Sequence, residues 1–168
     1  MIRLSPALLL LCCATLCHAA HAHPVRPCTD ADPSPAKLAH DEHGGPLKVD
    51  KCWHYADRTG DYQLYLLASA NRQDGDFTLS KSLAAQLFRK QPDCTLVSRW
   101  VLHDRIEEGE AGAWFSKKLT EFAELDGDGT VTPILVIRFV PLVRDEADAP
   151  VDYGAYAGRL KFILFRGG

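Results

Sequence analysis

Two alternating runs joined by a short turn constrain this chain more than any other feature. Val49-Asp50-Lys51-Cys52-Trp53-His54-Tyr55 switches between apolar and polar residues, as the two faces of a half-buried strand do. Arg58-Thr59-Gly60-Asp61 is a turn signal, and Tyr62 to Ala68 reads as the returning strand of a β-hairpin. Further strands follow. Thr95 to Ile106 alternates and carries the β-favouring Val97, Trp100 and Val101, while Ile134 to Leu142 and Leu160 to Phe165 are rich in branched and aromatic residues. Asn71 to Asp76 and Glu107 to Gly112 read as polar loops. Two stretches are ambiguous. Leu79 to Lys90 fits a helical face through Leu83, Leu87 and Phe88, with Ser80 as N-cap, and equally fits a short strand. Trp114 to Phe122 shows a mixed period. The expected fold is mainly β, built of antiparallel strands and hairpins with at most one or two short helices, with α+β as the alternative.

The front of the chain has the three parts of an export signal. Arg3 is followed by the apolar run Leu8 to Cys17, and Ala20-His21-Ala22 offers a small-residue cleavage site. That run is shorter than the roughly 20 residues that span a bilayer, and the mature chain is expected to hold no transmembrane segment. Leu11, Cys12 and Leu16 precede the three early cysteines, which fits a lipid-anchor signal poorly. The expected organisation is a signal peptide over 1–22, a Pro- and His-rich flexible leader over 23–47, and one β-rich domain over 48–168, in the periplasm or secreted after cleavage near Ala22. A formal net charge of −3 gives no basic surface for a nucleic-acid backbone, which excludes that partner class. Cleavage would leave Cys28, Cys52 and Cys94. In an oxidising compartment three cysteines mean one bridge and one further thiol, and the absence of a C-x-x-C pair points away from redox or zinc-cysteine chemistry.

The sharpest chemical feature is Glu124-Leu125-Asp126-Gly127-Asp128-Gly129-Thr130. Carboxylates at alternate positions on a glycine-turned chain can converge on a hard cation such as calcium, with Glu124, Asp126 and Asp128 as ligands and Thr130 supplying its carbonyl. A helix–loop–helix calcium hand would start at Glu124 and end at Leu135, so it lacks its closing glutamate. Asp-Gly-Asp-Gly is also good turn chemistry in its own right, because Asp and Gly tolerate positive φ.

From about residue 50 onward the chain resembles a little-characterised family of exported bacterial proteins with a D-x-D-G-D-G loop, sometimes labelled surface-polysaccharide-biosynthesis proteins. The resemblance lies in the Trp53 to Leu64 hairpin, Asp93-Cys94, Phe122 to Gly129 and the tail Leu160 to Phe165. It implies an envelope location and a β fold. It also implies a fuller acidic set and a second cysteine partnering Cys94, where this chain has Glu124, Thr132-Pro133 and Val140-Pro141-Leu142-Val143. With that partner missing, Cys28–Cys52 is the expected bridge and Cys52–Cys94 the alternative.

Histidines add little. His23 at a new N-terminus, with His40 and His43, could chelate copper, but nothing fixes these groups in space. His54 and His103 lie on expected strands, and Cys94 with His103 is a pairing that any chain of this size offers. Neither G-x-S-x-G, H-E-x-x-H nor a phosphate-binding glycine loop occurs. The expected role is a non-catalytic binding or structural module for an unknown component of the cell envelope. The alternatives are a calcium-stabilised or glycan-associated module, an envelope polysaccharide enzyme, and a toxin-immunity protein.

Overall fold

A computed structural model describes residues 24–69, 72–74, 77–141 and 159–165 of the protein. The expected signal segment 1–22, His23 and the acidic run Asp145, Glu146 and Asp148 lie outside them. The strands in chain order are β1 (Arg26–Pro27), β2 (Lys48–Asp57), β3 (Gly60–Ala68), β4 (Arg72–Asp74), β5 (Phe77–Leu79) and β6 (Ser82–Lys90). They continue with β7 (Leu96–Arg105), β8 (Glu110–Phe115), β9 (Glu121–Ala123), β10 (Thr132–Pro141) and β11 (Leu160–Leu164). A 3-10 turn over Lys117–Leu119 is the only helical piece among the described residues. The fold is therefore mainly β, as expected, and the α+β alternative falls away.

All pairings between strands are antiparallel. One sheet runs β1-β2-β3-β6-β7. In the second, β10 carries β11 on one edge and both β8 and β9 on the other, and β4 and β5 form a small separate ribbon. The two larger sheets enclose the main core. Leu64, Leu66 and Leu87 from the first meet Phe115, Leu135 and Ile137 from the second. Ser80, between β5 and β6, exchanges backbone hydrogen bonds with Ala113 of β8. A Cβ at Gly112 would sit 2.6 Å from Leu79 Cβ, so only glycine fits that approach.

The ambiguity of Leu79 to Lys90 has a structural cause. Every residue from Leu83 to Phe88 is buried, as is every residue from Gln63 to Ala68 on the neighbouring strand. A strand covered on both faces loses the period-two signature that a half-solvated strand shows. The cover on the outer face is the proline-rich segment ahead of β2. Its composition predicts little regular structure, and it has little: β1 and a bridge between His40 and Pro46. It is nonetheless laid against the sheet. Leu47, with Leu38 and Ala39, packs on Tyr65, Leu67, Ala84 and Phe88. The Ala39 N–H donates to Gln86 Oε1 at 2.8 Å, and Cys28 is bridged to Cys52 on β2 with their Cα atoms 5.3 Å apart. Cys94 is a free, exposed thiol. Glu107 to Gly112 also departs from its expectation, since β8 begins within it at Glu110.

Candidate functional site

The acidic loop runs from β9 to β10, and the structure does not gather its carboxylates around one point. Glu124 folds back to accept the Gly129 N–H through Oε1 at 2.6 Å, and Asp128 Oδ1 accepts the Thr130 N–H at 2.8 Å. The Thr130 N–H and hydroxyl, with the nearby Arg58, hold the Asp128 carboxyl below its ordinary range. Gly127 and Gly129 take positive φ, 66° and 79°. Among the described residues no three His, Cys, Asp or Glu side chains form a group able to hold a metal ion. Of the expected set Glu124, Asp126, Asp128 and Thr130, the Glu124 and Asp128 carboxylates thus bond the backbone of their own turn.

The loop also docks onto the other sheet. Asp57 ends β2, and its carboxylate spans both sheets. Oδ1 accepts from the Thr59 N–H at 2.7 Å, the Thr59 hydroxyl at 2.6 Å and the Gly60 N–H at 3.2 Å. Oδ2 accepts from the Val131 N–H at 3.0 Å. The Arg58 N–H donates to the Gly129 carbonyl at 3.0 Å, and Arg58 and Asp128 approach to 3.8 Å. Arg58 and Thr59 do not take positive φ, so the hairpin does without the primed two-residue turn and relies on the Asp57 carboxylate. Gly60, at φ 149°, lies against Arg89, whose Nη2 donates to the Thr59 carbonyl at 2.6 Å.

Docking of this turn onto the acidic loop leaves a cleft of about 170 Å³ at one end of the sandwich. Its aromatic lining comes from Tyr55, Tyr62, Trp100 and Phe165, with Leu87, Val131 and Pro133 between them. Tyr55 and Tyr62 are cross-strand partners, stacked at 5.3 Å between centroids. Trp100 and Phe165 stack at 3.6 Å and 9°, joining the edge strands β7 and β11 that Asp104 and Lys161 also tie together at 2.6 Å. Among the described residues Arg99 is the only cation in the lining and Asp57 the only acid, with Thr59 and Thr130 adding hydroxyls. The Tyr55 ring is 1 % exposed and burial pushes its hydroxyl well above the usual tyrosine range, so it stays protonated.

The remaining expectations resolve without a site. His54 is desolvated on β2, which lowers its pKa and keeps the imidazole neutral. His103 pairs with Ala84, whereas Leu96, two residues after Cys94, pairs with Lys90, six positions along β6 from Ala84. At about 3.4 Å per residue that separates Cys94 from His103 by more than about 20 Å, too far for a nucleophile and its base. Reading the sequence missed the cleft. Tyr55, Tyr62, Trp100 and Phe165 each read as strand residues, and no spacing among them signals that they line one cleft. Neither a protein family, nor a curated protein, nor a solved structure matches this chain.

Proposed function

We propose that this chain is an exported bacterial cell-envelope protein that acts by binding, through the cleft at the end of its sandwich, and not by catalysis. The observation that carries this reading is the chemistry of the lining. Aromatic walls, hydroxyls and one guanidinium are binding groups. Asp57, the one acid among the described lining residues, has both oxygens committed to N–H and O–H donors of the protein itself, and burial holds Tyr55 protonated. The envelope location is supported by the three-part leader over 1–22 and by the Cys28–Cys52 bridge, since disulfides persist in oxidising compartments. No helix among the described residues is long and apolar enough to cross a membrane. The family resemblance over residues 50–168 points the same way and rests on its motifs alone.

The test has two arms. The full chain is expressed in a Gram-negative host, and the recovered protein is weighed without reduction. The expected form is periplasmic, begins at His23 and carries one disulfide. A cytoplasmic product, or one retaining Leu8 to Leu11, would overturn the location. In the second arm small molecules are screened by melting against the wild type and against Thr130→Trp, which fills the cleft mouth. Ligands that stabilise only the wild type place binding in the cleft. Chemical conversion of a compound at a rate lost in Tyr62→Phe would overturn the non-catalytic reading.

A further inference from the structure

We propose that β11 is a docking edge for a second copy of this chain, the two β11 strands pairing antiparallel about a twofold axis at Phe162. The hydrogen-bond phase of the strand comes first. The Phe139 N–H donates to the carbonyl of Arg159, the residue opposite it in the β10–β11 register, at 2.9 Å. In an antiparallel ladder, opposed residues that exchange bonds alternate with those that do not, so Lys161 and Ile163 turn their backbone groups toward β10. Leu160, Phe162 and Leu164 turn theirs the other way. Among the described residues β11 pairs with no strand but β10. The same three residues carry the exposed side chains of the strand, at 45, 61 and 55 %. Backbone donors, backbone acceptors and apolar side chains are therefore offered together, along an edge without a register shift.

The other edges are blunted. β1 has two residues, one of them proline, and β9 has three. β8 is met by the Ser80 bridge, while β7 carries Arg99, His103 and Arg105 and pairs through a bulge. What fits β11 follows from its own pattern. Leu160, Phe162 and Leu164 read the same in both directions, so an antiparallel copy centred on Phe162 sets leucine beside leucine and phenylalanine beside phenylalanine. Each outward residue then gives and takes one hydrogen bond with its counterpart. No like charges meet, because Lys161 would face the second copy's Ile163 and is already neutralised by Asp104 at 2.6 Å. The contact is the same patch on both copies and closes as a dimer. Two strands of 5 residues bury less than the roughly 1,200–2,000 Å² of a stable complex, so association is weak and concentration-dependent.

The test is sedimentation equilibrium of the mature, disulfide-intact protein from about 10 µM to about 1 mM, the range of a weak complex. The expected result is a monomer at the low end and a mass that doubles toward the high end. Hydrogen exchange at the Leu160, Phe162 and Leu164 amides slows over the same range. Phe162→Lys, at an exposed position, leaves the melting curve in place and abolishes the association, because two ammonium groups would meet at the axis. The register is read in a Cys94→Ser background. Opposed residues of a hydrogen-bonded pair have Cα atoms about 5.5 Å apart, within the reach of a disulfide. Phe162→Cys should therefore cross-link to itself under mild oxidation, and Leu160→Cys should cross-link to Leu164→Cys faster than to itself. A protein that stays monomeric throughout, or Phe162→Lys associating as the wild type does, would overturn the dimer. Slow exchange at the three amides in the dilute monomer would overturn it as well, since the edge would then be covered without a second copy. Growth of the mass beyond a dimer, or equal self-cross-linking at Leu160 and Phe162, would overturn the closed twofold pairing.

Discussion

Asp57→Ala should cost more stability than any single change within the acidic loop, although Asp57 lies 74 residues from the loop N–H it holds. The carboxylate accepts four hydrogen bonds, and the substitution removes all of them. Three lie in the exposed turn, where water can replace the lost partner and the net loss is small. The fourth is different. Val131 is 6 % exposed, so its N–H is left buried without an acceptor, a state that costs about 1–3 kcal/mol. Adding about 1 kcal/mol for the turn gives a destabilisation of about 3 kcal/mol, or roughly 10 °C in Tm for a domain of this size. Asp57→Asn should recover only part of this. An amide can keep one oxygen on the turn, but its nitrogen then faces the Val131 N–H, donor against donor. Asp128→Asn, at an exposed position with one backbone bond and a 3.8 Å approach to Arg58, should cost less than about 1 kcal/mol. Urea unfolding followed by tryptophan fluorescence and circular dichroism measures all three. If Asp57→Ala unfolds within 1 kcal/mol of the wild type, or no earlier than Asp128→Asn, the two sheets are not fastened through this carboxylate.

Other consequences can be measured on the same protein. Replacing Cys28 and Cys52 by alanine opens a loop with a sequence separation of 24, which in the chain-entropy account lowers stability by about 3.5 kcal/mol. Peptide mapping without reduction checks the bridge, and a peptide containing Cys94 linked to Cys52 would contradict it. At high pH the buried Tyr55 remains protonated in the folded state while the unfolded chain ionises near pH 10, so the folded state holds more protons and stability falls as pH rises. Above that value the group contributes a decline of about 1.4 kcal/mol per pH unit, and Tyr55→Phe should flatten the alkaline limb of the stability curve. If the two limbs run parallel, Tyr55 is not the group responsible. Millimolar calcium should leave the wild-type melting curve where it stands in chelator, because Glu124 and Asp128 already bond the loop backbone. A rise of several degrees that disappears in Asp126→Asn with Asp128→Asn would restore the loop as a cation site.

The sequence by itself determined the β class and the hairpins, because a strand with one wet face writes its period of two into the residues that form it. Val49 to Tyr55 and Thr95 to Ile106 are legible for that reason, and they became β2 and β7. Leu83 to Phe88 were not, since β6 is covered on both faces there and its residues show no alternation. What covers it was equally hidden. Prolines forecast an irregular segment before β2, and irregular it is, yet its contacts with Leu67 and Phe88 depend on how the first sheet presents its outer face. The candidate site lies further still from local reading. Asp57 draws no reading of its own and the acidic loop reads as a cation-binding pattern or a turn, whereas the structure ties the two together through the Val131 N–H. The cleft takes Tyr55 from β2, Tyr62 from β3, Trp100 from the middle of β7 and Phe165 from just after β11, brought together by the order of strands within each sheet and by the stacking of one sheet on the other. Periodicity is a property of neighbours along the chain; convergence is a property of strand order, which only the tertiary packing decides.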